Sequence, residues 1–253
     1  MDVFYRANVK DGLFHEMWFI EDGTPSGSTF IDELNHFSTS PLLYIDHFTI
    51  GPPSDSGYEY LLKQWIQSGD PKARQQCKAV FLILNSVFFF TFHKLDIASA
   101  TGIINKLIYQ TPTRGLLYVV DTHPHFVHHR LQSLSCYLPG VLALGASTLP
   151  DTELSPKEKE IHRWAAHGLA YTCAIIFADQ ETGLGPEEIV MSAKGTRWME
   201  AVDEWKLGGR QGDVPPGMGE PEPERNPSRR DYDTLYTNDW RLRPEVKNPF
   251  FIF

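Results

Sequence analysis

Apolar positions along the chain fall into three helical stripes, one strand-like run and one uninterrupted block. The clearest stripe lies in "LSPKEKEIHRWAAHGLAYTCAIIF". There Ile161, Trp164, Ala165, Leu169, Thr172, Cys173 and Ile176 recur at helical spacing. Ser155 is placed to cap this helix, Pro156 suits its first turn, and Glu158 completes a capping box. A second amphipathic helix is predicted from Asp96 to Tyr109, carried by Ile97, Ile103, Ile104, Leu107 and Ile108. A third starts at Asp55 or Ser56 and runs through "GYEYLLKQWIQ" to Gly69. "GLLYVV", Gly115 to Val120, reads as a short strand after the turn Thr111-Pro112-Thr113-Arg114. From Gly208 to Ser228 there are five glycines and five prolines in 21 residues, the composition of a long loop. The pattern predicts a mainly α chain with short strands and large loops.

The uninterrupted block is "AVFLILNSVFFFTF", Ala79 to Phe92. As a helix it would reach about 21 Å, short of the roughly 30 Å hydrocarbon core of a bilayer. Asn85 and Ser86 also interrupt its centre, so no clear transmembrane segment is read here. The opening "MDVFYRANVKDG" has no basic start followed by an apolar core, so no secretory signal is visible in it.

Composition narrows the classes. Apolar residues at 42 % and aromatics at 13 % suit a globular chain and argue against disorder. A formal net charge of −9 disfavours a nucleic-acid binder, which would carry a basic surface. The acidic excess fits a calcium site, a neutral polar ligand or plain solubility equally well. The three cysteines, Cys77, Cys136 and Cys173, have no Cys-x-x-Cys spacing, which removes zinc ribbons and thioredoxin chemistry and leaves the redox compartment open.

Candidate chemistry rests on carboxylates at rigid turns. Asp55 and Glu59 lie four apart at the start of a predicted helix, on one face and near the positive end of its dipole. The plainer reading is an N-cap and a solvated glutamate. Glu187 follows a Gly-Leu-Gly-Pro turn, and Glu245 follows Arg243 and Pro244; each is equally readable as a loop or surface carboxylate. "THPHFVHHR" holds His123, His125, His128 and His129 within seven residues. No carboxylate or cysteine stands at ligand spacing there and the stretch reads as a loop, so zinc is disfavoured.

Six blocks decide between these readings. "SDSGYEYLLKQW", "GIINKLIYQTPTRGLLYV", "LSCYLPGVLALGA", "HRWAAHGLAYTC", "ETGLGPEE" and "LRPE" stand in the order found in glycoside hydrolase family 47. These are the class I α-1,2-mannosidases, and the resemblance runs from about Gly12 to Val246, closest to fungal members. It implies a partial (α/α)7 barrel closed by a β-hairpin, with a calcium ion below the sugar pocket. It also implies inverting removal of terminal mannose from high-mannose N-glycans in the endoplasmic reticulum or Golgi, as in glycoprotein quality control and degradation.

Carried over by motif, the family's D-S-x-Y-E-Y-L block gives Asp55 as a catalytic carboxylate and Glu59 as a substrate-binding one. T-G-L-x-P-E gives Glu187 to substrate binding. L-R-P-E gives Arg243 to substrate binding and Glu245 as the general base. The resemblance further implies a disulfide between Cys136 and Cys173, leaving Cys77 over. No protein metal ligand is expected in this chain, because the family's calcium-ligating threonine has no counterpart in it.

The resemblance is incomplete at both ends. The N-terminal part that supplies a third carboxylate, the general acid, has no match, nor do the helices that follow L-R-P-E in relatives. Stretches 29–46, 78–94 and 247–253 look foreign to the family, as translated intron sequence would. Gln132 and Ser133 stand where relatives carry an acid and a pocket-facing histidine. The reading is therefore one incomplete catalytic domain over 1–253, inactive as a 253-residue polypeptide. The alternative is a non-catalytic mannose-glycan binding protein on the same scaffold.

Overall fold

The computed structural model describes residues 9–10, 13–15, 48–51, 54–68, 95–123, 126–191, 195–210, 212, 214–218 and 234–236. The chain divides into two compact units, one of residues 1–99 with 121–127, the other of 100–120 with 128–253. The foreign-looking stretches 29–46, 78–94 and 247–253, including the apolar block, lie outside the described residues, as do Arg243 and Glu245.

In the first unit, strands β1 (Val9–Lys10) and β2 (Leu13–Phe14) pair antiparallel, with Lys10 opposite Leu13. Helix α1 (Asp55–Ser68) begins at Asp55, the earlier of the two starts its sequence allows, and ends one residue short of Gly69. It is fastened to β2 through Tyr58, whose hydroxyl accepts the Phe14 N–H at 2.8 Å while the two rings meet edge to face. Burial pushes the Tyr58 phenol up, beyond the ordinary tyrosine range, so it is an uncharged acceptor here. Leu13, Phe14, Ile50, Tyr58 and Leu62 are buried together in this unit's apolar complement.

Helix α2 (Leu95–Lys106) is shorter than its apolar stripe predicts. Ile108 and Tyr109 leave the helix for strand β3 (Ile108–Gln110), which pairs with β4 (Leu117–Val119), Tyr109 facing Tyr118. The reason is the hairpin that follows, which pairs Ile108 with Val119. A β-branched and an aromatic residue precede a turn that Thr111 and Leu116 close by two hydrogen bonds, Thr111 N–H to Leu116 carbonyl and Leu116 N–H to Thr111 Oγ1. Gly115, at φ +67°, supplies the left-handed step of that turn. A third strand, β9 (Thr196–Arg197), joins β3 on its other edge.

The His-rich stretch also departs from expectation. Instead of an unbroken loop it contains strands β5 (Asp121–Thr122) and β6 (Val127–His128), followed by β7 (Arg130–Gln132). Strand β7 pairs with β8 (Glu188–Met191), which pairs in turn with β10 (Thr234–Tyr236). One face of this sheet is buried, with Leu131, Ile189, Met191 and Thr234 at 3 % exposure or less.

A 3-10 turn (Ser133–Tyr137) leads into helix α3 (Leu138–Thr148), which packs along α4 (Pro156–Ala178). Helix α4 has the expected capping box: Ser155 Oγ accepts the Glu158 N–H, and the Glu158 carboxylate accepts the Ser155 N–H at 2.9 Å. Its buried face is wider than the sequence stripe. His162, Ala165, Ala166, Gly168, Leu169, Ala170, Thr172, Cys173, Ile175 and Ile176 are buried, while Ile161 and Trp164 are only half-buried. Small side chains make this face because neighbours come very close. A Cβ on Gly168 would stand 2.5 Å from the Gly217 carbonyl oxygen and from a Leu117 methyl. Helix α5 (Trp198–Leu207) begins with a fully buried tryptophan whose indole N–H donates to the Pro216 carbonyl at 2.7 Å. That bond fixes one point of the Gly/Pro-rich segment after α5. No described helix is long and apolar enough to cross a membrane.

Candidate active site

In the first unit, the chain turns at Gly51, whose carbonyl accepts both the Ser54 and the Asp55 N–H, at 2.8 and 3.1 Å. Asp55 is thereby the first residue of α1, half-buried, with its backbone fixed. Glu59, one turn on, is bound by Lys63 in an i,i+4 ion pair and is also half-buried. The two carboxylates share a helix face near the positive end of the dipole, as their spacing requires. Ser54 stands at the capping position but does not cap. The Gly57 N–H goes to the Ser54 carbonyl, and among the described residues the buried Ser54 hydroxyl has no hydrogen-bond partner.

In the second unit, Glu187 is delivered by a loop pinned at both ends. At its start, Asp179 ends α4 and is gripped through both oxygens by the Arg114 guanidinium from the β3–β4 turn. This pair is almost wholly buried. A carboxylate at a helix C-terminus opposes the dipole, and the arginine offsets it. Farther along, Gly185 lies against the Phe177 ring so closely that a Cβ there would stand 2.6 Å from it. At the far end, the Glu187 carbonyl accepts the Ser133 N–H at 2.8 Å, and the Ser133 hydroxyl stands 3.4 Å from Glu187 Oε2. Three residues past Ser133, Cys136 is disulfide-bonded to Cys173 of α4, with α-carbons 6.0 Å apart.

The histidines do not gather. His129 Nδ1 is 2.6 Å from the Tyr118 hydroxyl and its ring meets Tyr109 edge to face, while His123 stacks on Phe126. Burial, helped by neighbouring His128, lowers the His129 pKa. His125 lies outside the described residues. Among the described residues, no three His, Cys, Asp or Glu side chains converge to hold a metal. Calcium takes six to eight oxygens, and among the described residues no cluster of three carboxylates stands ready to supply part of them.

The sequence pattern pointed to Asp55, Glu59 and Glu187: Asp55 opens α1, Glu59 lies one turn into it, and Glu187 immediately precedes β8. It did not reveal Ser133 as the neighbour of Glu187, nor Arg114 as the anchor of its loop. Half of a signal for the second was present: an aspartate ending a long helix calls for a cation, but Arg114 lies 65 residues away in sequence.

A family profile described as Glycosyl hydrolase family 47 matches residues 5–253. The chain belongs to glycosyl hydrolase family 47. Among curated relatives, this family 47 chain is 31 % identical over 159 residues to the mannosyl-oligosaccharide α-1,2-mannosidase IA of Drosophila melanogaster, covering 62 % of the chain and 19 % of the relative. It is 33 % identical over 141 residues to the endoplasmic reticulum mannosyl-oligosaccharide 1,2-α-mannosidase of Rattus norvegicus, covering 55 % and 18 %. The chain thus matches about a fifth of the length of these relatives. A solved α-1,2-mannosidase from Trichoderma reesei superposes with a TM-score of 0.49 at 17 % identity, over 78 % of this chain and 32 % of the other.

Proposed function

We propose that this family 47 chain carries part of the site of an α-1,2-mannosidase that removes terminal mannose from high-mannose N-glycans. Family membership over residues 5–253, with relatives named as mannosyl-oligosaccharide 1,2-α-mannosidases, carries the reading. The fold in this reading is an incomplete (α/α)7 barrel, and α3 packed along α4 is one helical hairpin of it. The secretory pathway, endoplasmic reticulum or Golgi, is its compartment. The Cys136–Cys173 disulfide suits that oxidising setting, and the rat relative is named as an endoplasmic reticulum enzyme.

The mechanism is inverting hydrolysis. Glu245 takes a proton from water as that water attacks the anomeric carbon from the face opposite the leaving sugar. Asp55 is a second catalytic carboxylate. Glu59, Glu187 and Arg243 hold sugar hydroxyls and water. Two features support these roles: the i,i+4 contact with Lys63 that orients Glu59, and the Ser133 contact and two-ended loop that orient Glu187. Calcium, when bound, supplies a hard cation for hydroxyl oxygens of the terminal mannose. Among the described residues no three His, Cys, Asp or Glu side chains converge to hold it.

A polypeptide of these 253 residues alone is expected to release no mannose, because no motif in it matches the family's general acid and inversion needs carboxyl groups on both sides of the bond. The test is a time course of a nine-mannose N-glycan, read by proton NMR. One arm uses the 253-residue polypeptide. The other joins residues 12–246, without 29–46 and 78–94, to the flanking segments of the Drosophila relative. The reading requires silence from the first and release of mannose, first as the β anomer, from the second. Glycan binding without release by the second would replace the enzyme reading with a lectin-like one.

A further inference from the structure

After α5 the chain dips back into the interior of the second unit. Val214 is 57 % exposed, Pro215 and Gly217 are buried, and Pro216 and Met218 are half-buried. Pro215 to Met218 form a turn of their own. The Met218 N–H donates to the Pro215 carbonyl at 3.3 Å, and Gly217 stands at φ +80°. A proline in the second position and a left-handed glycine in the third are the signature of a type II turn. The shape is therefore written in these four residues and is not borrowed from a neighbouring helix or strand.

The turn sits in a groove with three walls. Trp198, wholly buried at the start of α5, donates its indole N–H to the Pro216 carbonyl at 2.7 Å. Leu117 of β4, also wholly buried, lies so close to Gly217 that a Cβ there would stand 2.2 Å from its methyl. Gly168 of α4 leaves the space beside the Gly217 carbonyl, where a Cβ on Gly168 would stand 2.5 Å from the oxygen. One directional donor, one apolar wall and one missing side chain select what is seated. At position 217 both the backbone angle and the space admit only glycine.

We propose that this groove is a peptide-binding site for a proline–glycine type II turn, and that Pro215–Met218 is its tethered ligand. The ligand class is read from the occupant. The carbonyl before the glycine meets the indole N–H, the bare glycine lies against Leu117, and the proline fixes φ so that less freedom is lost on seating. A ligand that carries its own turn leaves as a unit, so the groove can exchange it for a Pro-Gly segment of a partner polypeptide. The site rests on this packing and not on the mannosidase reading.

Two-dimensional NMR of the isotope-labelled 253-residue chain, disulfide intact, tests this through the Trp198 indole N–H, assigned by its loss in Trp198→Phe. Gly217→Ala should unseat the turn, shifting that resonance and speeding its hydrogen exchange about tenfold or more. Amides of α3 and α4 should keep their rates within about twofold, because only the turn opens. In this variant the peptide acetyl-Val-Pro-Pro-Gly-Met-amide, at about millimolar concentration, should draw the indole resonance back toward its wild-type position. The unaltered chain, its groove filled, should not respond to the same peptide. An unshifted indole in Gly217→Ala, equal acceleration of all amides, or no response of the variant to the peptide would each overturn the proposal. Pro216→Ala is the milder second variant. It keeps the glycine but loosens the turn, and should speed indole exchange about threefold with α3 and α4 unchanged. If Gly217→Ala does not fold, Pro216→Ala decides: speeding confined to Trp198 supports the tethered ligand, whereas uniform speeding, or none, overturns it.

Discussion

Arg114 holds the Asp179 carboxylate through both of its oxygens, the longer contact being 3.2 Å, in a site where neither side chain is more than 6 % exposed. The pair links the turn between β3 and β4 to the end of α4, and from that end the chain runs on to Glu187. Removing only the cation leaves a buried carboxylate at the negative end of a helix. Arg114→Met should therefore cost about 3–5 kcal/mol in stability. The double variant Arg114→Met with Asp179→Leu should recover most of that loss. Urea unfolding of the three proteins checks it, and a single variant as stable as wild type would show that the pair is not coupled.

His162 predicts a pH dependence. It is 4 % exposed on the buried face of α4, and burial lowers its pKa to about 4, with nearby Glu158 opposing the shift weakly. The folded pKa is thus below the unfolded value of about 6.5. The unfolded chain binds the extra proton first, so stability is full above about pH 6.5 and falls as pH drops toward 4. The loss across that window should be about 3 kcal/mol. In His162→Leu the stability of the folded chain should change less over the same range. Parallel slopes in the two proteins would assign the acid sensitivity elsewhere.

The Cys136–Cys173 bond closes a loop with a sequence separation of 37 residues. Restricting the unfolded chain in this way contributes roughly 3–4 kcal/mol. Cys136→Ser with Cys173→Ser should lower stability by about that amount, and thiol titration of unreduced, denatured protein should find one free thiol, Cys77. Three free thiols would remove the bond and its support for an oxidising compartment.

How far the fold was readable follows from where each signal is stored. The start of α4 was legible because its cap is a local pattern: Ser155, Pro156 and Glu158 decide it within four residues. The end of α2 was not. Ile108 continues an apolar helical stripe, and only its pairing with Val119 makes it a strand residue. The buried face of α4 was misread for the same reason. Ala166, Gly168 and Ala170 carry little hydrophobic signal, yet all three are buried, and Gly168 faces neighbours so near that no side chain fits. The rigid turn that precedes Glu187 was legible, whereas Ser133, 54 residues away in sequence, became its neighbour through the pairing of β7 with β8.

Residues 29–46 and 78–94 read in the sequence as foreign to the family blocks, and we propose that they are translated intron sequence. If they are translated intron sequence, the mature spliced message joins codon 28 to codon 47 and codon 77 to codon 95. Sequencing of that message across both junctions checks this. A message that retains both stretches would make them part of the folded protein.

The central claim is that this chain contributes the water-activating carboxylate of a mannosidase. It is tested most directly by Glu245→Gln in the version completed with the Drosophila flanks, with free mannose release measured against the unaltered version. The amide is nearly isosteric and cannot accept the proton, so the rate should fall by about 10²–10⁴-fold while the melting temperature stays the same. A Glu245→Gln protein that releases mannose at the unaltered rate would contradict the account.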